Sequence, residues 1–310
     1  MTEIKIFCPA TIANLNCGFD VMGLCLEGIG DEMIIRKVPR LGVKITKISG
    51  ADLPLETEKN VAGVAALALL KDLEIDFGFE IEIHKKIKAG SGIGSSSASA
   101  AGAVFGINEL LGNPFTKSQL IDFAAQGEVV ASGSAHADNV APCILGGFTV
   151  VRGSNPFDVI RIESPSELVA VVLHPHIEVK TADARAVLQP MIPLKNAIIQ
   201  TGNIAGLVAG LYTNDYELIG RSLTDVIIEP MRQHLIPNFA ITKQVALQNG
   251  ALGSGISGAG PSIFALCKGN EIANKVAEAM RMEYQSTRIE FDLHVSKINP
   301  FGTVVIKDEI

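Results

Sequence analysis

Polar and apolar residues alternate through 4–7, 32–38, 43–48 and 79–84, the two-residue period of strands with one buried face. Between and after them the period lengthens. Residues 59–73 are apolar and alanine-rich with charges at the ends. Residues 95–111 combine Ser, Ala, Val, Ile and Leu and stop at Gly112 and Pro114, and 116–130 open on Thr116 with Gln119 three residues on, an N-capping pattern. These stretches predict helices, and 147–152 predicts a further strand. A break at Gly153, Ser154, Asn155 and Pro156 has turn composition and divides the chain into expected domains 1–155 and 156–310. Beyond it the pattern predicts strands at 168–173, 262–267 and 290–296, with helices at 182–188, 194–212, 216–223, 239–248 and 271–284. That order points to an α+β fold whose second half carries helices on one face of a mostly antiparallel sheet.

A length of 310 residues with 47% hydrophobic and 19% charged side chains fits two cores and excludes a disordered or collagen-like chain. The net charge of −7, from 26 Lys+Arg against 33 Asp+Glu, leaves no broad basic stripe for nucleic acid. Any anionic ligand must be held locally. The five cysteines lack a C-x-x-C pair, so neither a disulfide framework nor a thiolate zinc site is expected. The longest apolar run, 61–70, closes at Lys71 and Asp72, about half of the ~20 residues a membrane span needs. With no secretion-signal pattern at the N-terminus, a cytoplasmic location without membrane partners is expected.

Of the 30 glycines, six lie at 90–112 and five at 250–260. Gly90, Ser91, Gly92, Ile93, Gly94, Ser95, Ser96 and Ser97 follow a predicted strand and open a predicted helix. Glycines there let the backbone approach a ligand closely, and a helix N-terminus offers N–H groups and positive potential to an anion. The stretch reads as a phosphate cradle or as a packing turn. It is not a Walker loop, because no lysine follows Gly94, and the dinucleotide fingerprint also fails on position, the acids nearest its spacing, Glu109 and Asp122, falling inside predicted helices.

Gly92, Ile93, Gly94, Ser95, Ser96 and Ala98 resemble the second motif of the galactokinase, homoserine kinase, mevalonate kinase and phosphomevalonate kinase (GHMP) superfamily, and residues 255–262 (Gly-Ile-Ser-Gly-Ala-Gly-Pro-Ser) resemble its third. A narrower resemblance, to homoserine kinases, lies in 9–20 (Pro-Ala-Thr-Ile-Ala-Asn-Leu-Asn-Cys-Gly-Phe-Asp), 136–142 (His-Ala-Asp-Asn-Val-Ala-Pro), 181–185 (Thr-Ala-Asp-Ala-Arg) and 229–232 (Glu-Pro-Met-Arg). Lys88 stands where the family carries proline, Ser97 where alanine is usual, and Asn16, Cys17 and Gly18 where it carries Gly-Pro-Gly.

The resemblance implies a two-domain GHMP kinase fold, with a ribosomal-protein-S5-like N-terminal domain and a ferredoxin-like C-terminal domain. It further implies phosphorylation of the side-chain hydroxyl of L-homoserine by ATP, a step toward threonine, with a homodimer left open. Homoserine is a zwitterion with a primary hydroxyl. Arg185 and Arg232 can fork onto its carboxylate, Asn14 and Asp20 can answer its ammonium, and His136 and Asn139 would approach from the other side, with Asn139 orienting the hydroxyl. Ser96 and Glu128 would hold Mg²⁺. Together with Asn139 they make up the expected catalytic set. The nucleotide set is Lys88, Ala89, Gly90, Ser91, Gly92, Ile93, Gly94, Ser95, Ser96 and Ser97, with Asn60 at a helix start. Asp138 reads as a base or as a structural residue. Outside these motifs, Asn14 and Asp20 would serve a turn, the arginines would pair on the surface, and His136 would be structural as readily as functional. Two other readings remain: a non-catalytic nucleotide or amino-acid sensor on the same fold, and a GHMP-type kinase of another small alcohol.

Overall fold

A computed structural model describes residues 1–71 and 73–307, so Asp72 and residues 308–310 lie outside the described residues. The chain opens with β1 (Glu3–Ala13), β2 (Met22–Val38), β3 (Gly42–Ser49), α1 (Val61–Leu70) and β4 (Gly78–His84). It continues through α2 (Ser95–Leu111), α3 (Lys117–Ser132), α4 (Val140–Leu145), β5 (Phe148–Ser154) and β6 (Phe157–Ile162). Then come β7 (Leu168–Pro175), α5 (Thr181–Ala186), α6 (Leu194–Thr213), α7 (Tyr216–Ser222), α8 (Glu229–Arg232) and α9 (Phe239–Gln248). The last elements are β8 (Gly253–Ile256), β9 (Ile263–Lys268), α10 (Asn270–Gln285), β10 (Phe291–Lys297) and β11 (Val304–Val305).

Among the described residues, seven strands form a first sheet ordered β11-β1-β2-β4-β3, with β5 beside β2 and β6 beside β5. Its pairs are antiparallel except β3 with β4. Helices α1, α2 and α3 pack on one another, and α2 lies against β1 and β2. The glycine pattern of α2 makes that approach possible: a Cβ on Gly102 would fall 2.3 Å from Cys8 Sγ. The second sheet, β10-β7-β9-β8, is antiparallel throughout, and its chain order of strand, helices, two strands, helix and strand is the split βαβ arrangement expected of the ferredoxin-like half.

Strand β7 is buried along its whole length, which explains the unbroken apolar run at 168–173. Val169, Val171 and Leu173 feed a core beneath α9 and α10, while Leu168, Ala170 and Val172 join the core shared with the first sheet. The expected division at 155/156 falls in the turn between β5 and β6, two strands paired from Phe148–Ile162 to Ser154–Phe157. On sheet membership we place the division after Ile162. In addition, β11 returns to β1. No helix among the described residues is long and apolar enough to cross a membrane.

Candidate active site

A cavity of about 550 Å³ opens between the glycine loop, the end of β1, the start of α4 and the 178–185 segment. Gly90, Gly92 and Gly94 sit at φ of 73°, 80° and 74°, a region that L side chains rarely adopt. A Cβ on Gly92 would lie 2.5 Å from the Gly260 carbonyl oxygen, and one on Gly94 would lie 2.1 Å from Thr11 Oγ1. Helix α2 starts at Ser95 with no side-chain cap from Gly94. Its first N–H groups therefore lack an internal acceptor, and Gly94, Ser95 and Ser96 stand on the cavity wall. The loop is held from behind: Ser257 Oγ donates to the Gly92 carbonyl at 2.7 Å and Ser262 Oγ to the Ser91 carbonyl at 2.6 Å. The second glycine cluster thus braces the first.

Beneath the loop, Lys85 pairs with Asp31 and donates to the Ser95 carbonyl at 2.7 Å and to Ser99 Oγ at 3.1 Å. Asp31 Oδ1 in turn accepts the N–H groups of Lys86 and Ile87 at 2.7 and 2.9 Å. This buried pair ties β2 to the exit of β4 and the first turn of α2, and Lys85 reaches the cavity wall. Sequence reasoning missed both residues, which lie at the edges of the predicted strands 32–38 and 79–84 and whose pairing is set by the sheet. Ser96 of α2 donates to Glu128 Oε2 of α3 at 3.1 Å. Burial pushes the Glu128 carboxyl up to about 7, against the opposing pull of the Ser96 and Ser97 hydroxyls and the Lys85 charge.

The facing wall carries opposite charges in close order. Asn14 and Asp20 occupy left-handed conformations, at φ of 72° and 59°, suited to short polar side chains. Asn14 Nδ2 donates to the Gly258 carbonyl at 2.7 Å, and Asn14 Oδ1 accepts the Asp20 N–H at 3.0 Å. Arg185 Nη2 donates to both Asp20 oxygens, at 3.0 and 3.1 Å, and to His136 Nε2 at 2.9 Å. Arg232 is 3% exposed, donates to the carbonyls of Ala184 at 2.9 Å and Gly258 at 3.2 Å, and makes no ion pair among the described residues. Burial and the neighbouring Arg185 lower its pKa. The ring of Phe19 lies against both guanidinium groups, 5.7 Å from Arg185 and 4.9 Å from Arg232.

Asn139 Oδ1 accepts from Thr11 Oγ1 at 2.7 Å, which leaves the Asn139 Nδ2 group as the donor. Sequence reasoning missed this partner across 128 residues. Asp138 is buried, and burial followed by the charges of Asp20 and Glu128 pushes its carboxyl up to about 7. Burial also lowers His136, while Asp20 pulls it back.

One cavity therefore gathers Asn14, Asp20, Ser96, Glu128, His136, Asn139, Arg185 and Arg232 with Ala89, Gly90, Ser91, Gly92, Gly94 and Ser95. Four members of the expected nucleotide set differ. Lys88 turns away from the cavity and donates to His176 Nε2 at 2.6 Å, with Asp292 Oδ2 3.2 Å away. Ile93 and Ser97 are buried and off the cavity wall, and Ser97 reaches the site only through Glu128. Asn60 stands on the wall, but its amide is committed, accepting from the Ala62 N–H at 3.0 Å as the cap of α1 and donating to the Pro54 carbonyl at 2.8 Å. An apolar end that the sequence did not disclose is formed by Leu53, Pro54, Val61 and Val130.

The family model for the GHMP kinases N terminal domain matches residues 60–147, and that for GHMP kinases C terminal matches residues 207–285. The homoserine kinase of Chlorobium phaeobacteroides strain BS1 is 45% identical over 99% of this chain and 100% of its own, and that of Methanocella arvoryzae is 38% identical over 100% and 99%. The crystal structure of homoserine kinase from Cytophaga hutchinsonii superposes with a TM-score of 0.95 at 49% identity, covering 99% of this chain and 98% of that one. Mevalonate kinase of L. major, at 15% identity and a TM-score of 0.72 over 95% of this chain and 96% of that one, shares the fold. The chain belongs to the GHMP kinases and, within them, to the homoserine kinase family.

Proposed function

We propose that this chain transfers the terminal phosphoryl group of ATP to the side-chain hydroxyl of L-homoserine, giving O-phospho-L-homoserine on the way to threonine. The fold alone does not choose the acceptor. The observation that carries the choice is the buried Arg232 guanidinium, which makes no ion pair among the described residues and is set beside the Arg185–Asp20 pair on the wall facing the glycine loop. Asp20, Asp225 and Asp138 offset part of its charge from a distance, but a buried cation without a direct ion pair is costly, and a substrate carboxylate relieves it. The α-carboxylate lies on Arg232 and Arg185, the ammonium on Asp20 with Asn14 behind it, and the hydroxyl under Asn139 Nδ2.

The nucleotide base fits the apolar end at Leu53, Pro54, Val61 and Val130, and the phosphates lie over the first turn of α2. Phosphoryl transfer depends mostly on alignment and on dispersing charge. Thr11 fixes the Asn139 amide, the braced glycine loop fixes the phosphate acceptor groups, and Lys85 adds positive potential beneath them. Ser96 and Glu128 present hard oxygens 3.1 Å apart on neighbouring helices, and a buried carboxylate is stabilised by an adjacent cation. That donor set fits Mg²⁺, which when bound would neutralise phosphate charge. A coupled assay of ADP release with ATP and L-homoserine tests the reading. Turnover of mevalonate or another small alcohol without turnover of homoserine would overturn the acceptor, and binding of both ligands without ADP release would leave a sensor.

A further inference from the structure

A second group of donors lies outside the cavity, on the face of β7 turned away from α9 and α10. His174 lies near the end of β7, His176 follows one residue past the strand with its N–H bonded to the Glu290 carbonyl at 2.7 Å, and Asp292 of β10 is the register partner of His174. One ligand atom from each of the three lies within 4.8 Å of the others. His176 Nε2 is 2.9 Å and His174 Nδ1 3.6 Å from Asp292 Oδ2. Lys88 reaches in from the first domain, with its ammonium 2.6 Å from His176 Nε2 and 3.2 Å from Asp292 Oδ2.

We propose that His174, His176 and Asp292 form a binding site for a borderline divalent transition-metal ion such as Zn²⁺, and that the Lys88 ammonium is the resident cation such an ion displaces. Two imidazoles and one carboxylate are a zinc donor set, and bonds of about 2.0–2.1 Å in a tetrahedron place donors about 3.4 Å apart. The separations of 2.9 and 3.6 Å bracket that spacing. His176 Nδ1 stands 3.6 Å from Glu290 Oε2, a carboxylate behind the ring that turns Nε2 toward the cluster. The imidazoles disfavour Mg²⁺ and Ca²⁺, which select oxygen. Besides Lys88 and Glu290, the group facing this cluster is His294, two residues from Asp292 on β10.

The Lys88 side chain is half exposed, so it gives up little when it leaves, and the ion has a path from solvent. Lys88 directly precedes the glycine loop, and β7 runs on toward Glu178, Val179 and Lys180, which wall the cavity. Occupancy would thus release a side chain that ties these two walls together. The site is independent of the reading of the acceptor substrate.

Zinc titration by calorimetry, on untagged, chelator-stripped protein free of nucleotide, tests the proposal, with circular dichroism to show that each variant is folded. The expected result is one equivalent bound to the wild type, at least about tenfold weaker binding in His176→Ala and in Asp292→Asn, and about tenfold tighter binding in Lys88→Met. Wild type that fails to take up zinc overturns it. So does binding that is unchanged in both His176→Ala and Asp292→Asn, which would put the ion elsewhere, or Lys88→Met binding no more tightly than wild type.

Discussion

Replacing Gly94 with alanine tests how the glycine loop and the acceptor end of the site are joined. The new methyl would sit 2.1 Å from Thr11 Oγ1 and 3.2 Å from Asn139 Oδ1, the two atoms of one 2.7 Å hydrogen bond. Reaching ordinary contact at 3.4 Å requires Thr11 to give way by about 1.3 Å, more than the bond can stretch and survive. A left-handed alanine costs about 1–2 kcal/mol, and the lost hydrogen bond adds about 0.5–1.5 kcal/mol. Urea unfolding of Gly94→Ala should therefore show a loss of about 2–3 kcal/mol, and release of Asn139 should lower kcat by about a hundredfold, the scale of a 1 Å misplacement. The decisive comparison is a cycle with Thr11→Ala, which removes the obstructing oxygen. In that background the second substitution should cost only the backbone part, a coupling of about 1 kcal/mol. Additivity within about 0.5 kcal/mol, in stability and in kcat, would refute a connection through Thr11.

Arg232→Met should raise KM for homoserine about 10- to 100-fold, the worth of a charge-assisted contact, with KM for ATP within about threefold of wild type; equal effects on both would show that the guanidinium does not hold the carboxylate. Glu128→Gln should lower kcat and move half-saturation to higher Mg²⁺ with little change in KM for homoserine, and an unchanged magnesium titration would count against the metal role. The unliganded enzyme should lose stability as pH rises. Asp138 and Glu128 are both pushed up to about 7 from ordinary carboxylate values, so the folded chain keeps protons that the unfolded chain has lost. The stability they confer is full at low pH and disappears as pH climbs through about 7. Melting curves from about pH 5 to 8 should show this fall, flattened in Asp138→Asn; an undiminished fall in that variant would contradict the burial argument.

The elements legible in the sequence are those whose burial is one-sided or whose caps are local. Helix α3 begins with the Thr116–Gln119 capping box that the spacing predicts, and α2 and α9 match their predicted spans. The first half of β2 is hidden because it is packed on both faces and broken by glycines: a Cβ on Gly23 would fall 1.9 Å from the Asp138 carbonyl. β8 is hidden for the same reason, since a Cβ on Gly255 would meet Asn16 Oδ1 at 1.8 Å. In the site, charged residues inside short motifs were readable because the motif fixes their backbone. Lys88 was not, since proximity to a phosphate loop in sequence says nothing of the direction of a long side chain. Its partners are Asp292 of β10, in another sheet, and His176, one residue past β7. Lys85–Asp31 and Thr11–Asn139 are likewise set by topology rather than by spacing.

The two-residue strand β11 has a consequence for how the protein is made. It pairs Val304 and Val305 with Phe7 and Ile6 on the outer side of β1, so this stretch of the β1 edge stays open during synthesis until about 300 more residues have been added. At about 5–20 residues per second that wait lasts roughly 15–60 s. An open strand edge of this kind templates pairing with other chains. The nascent protein therefore exposes the Ile6–Phe7 edge of β1 to aggregation throughout that wait, and β11, which covers it, lines no part of the cavity.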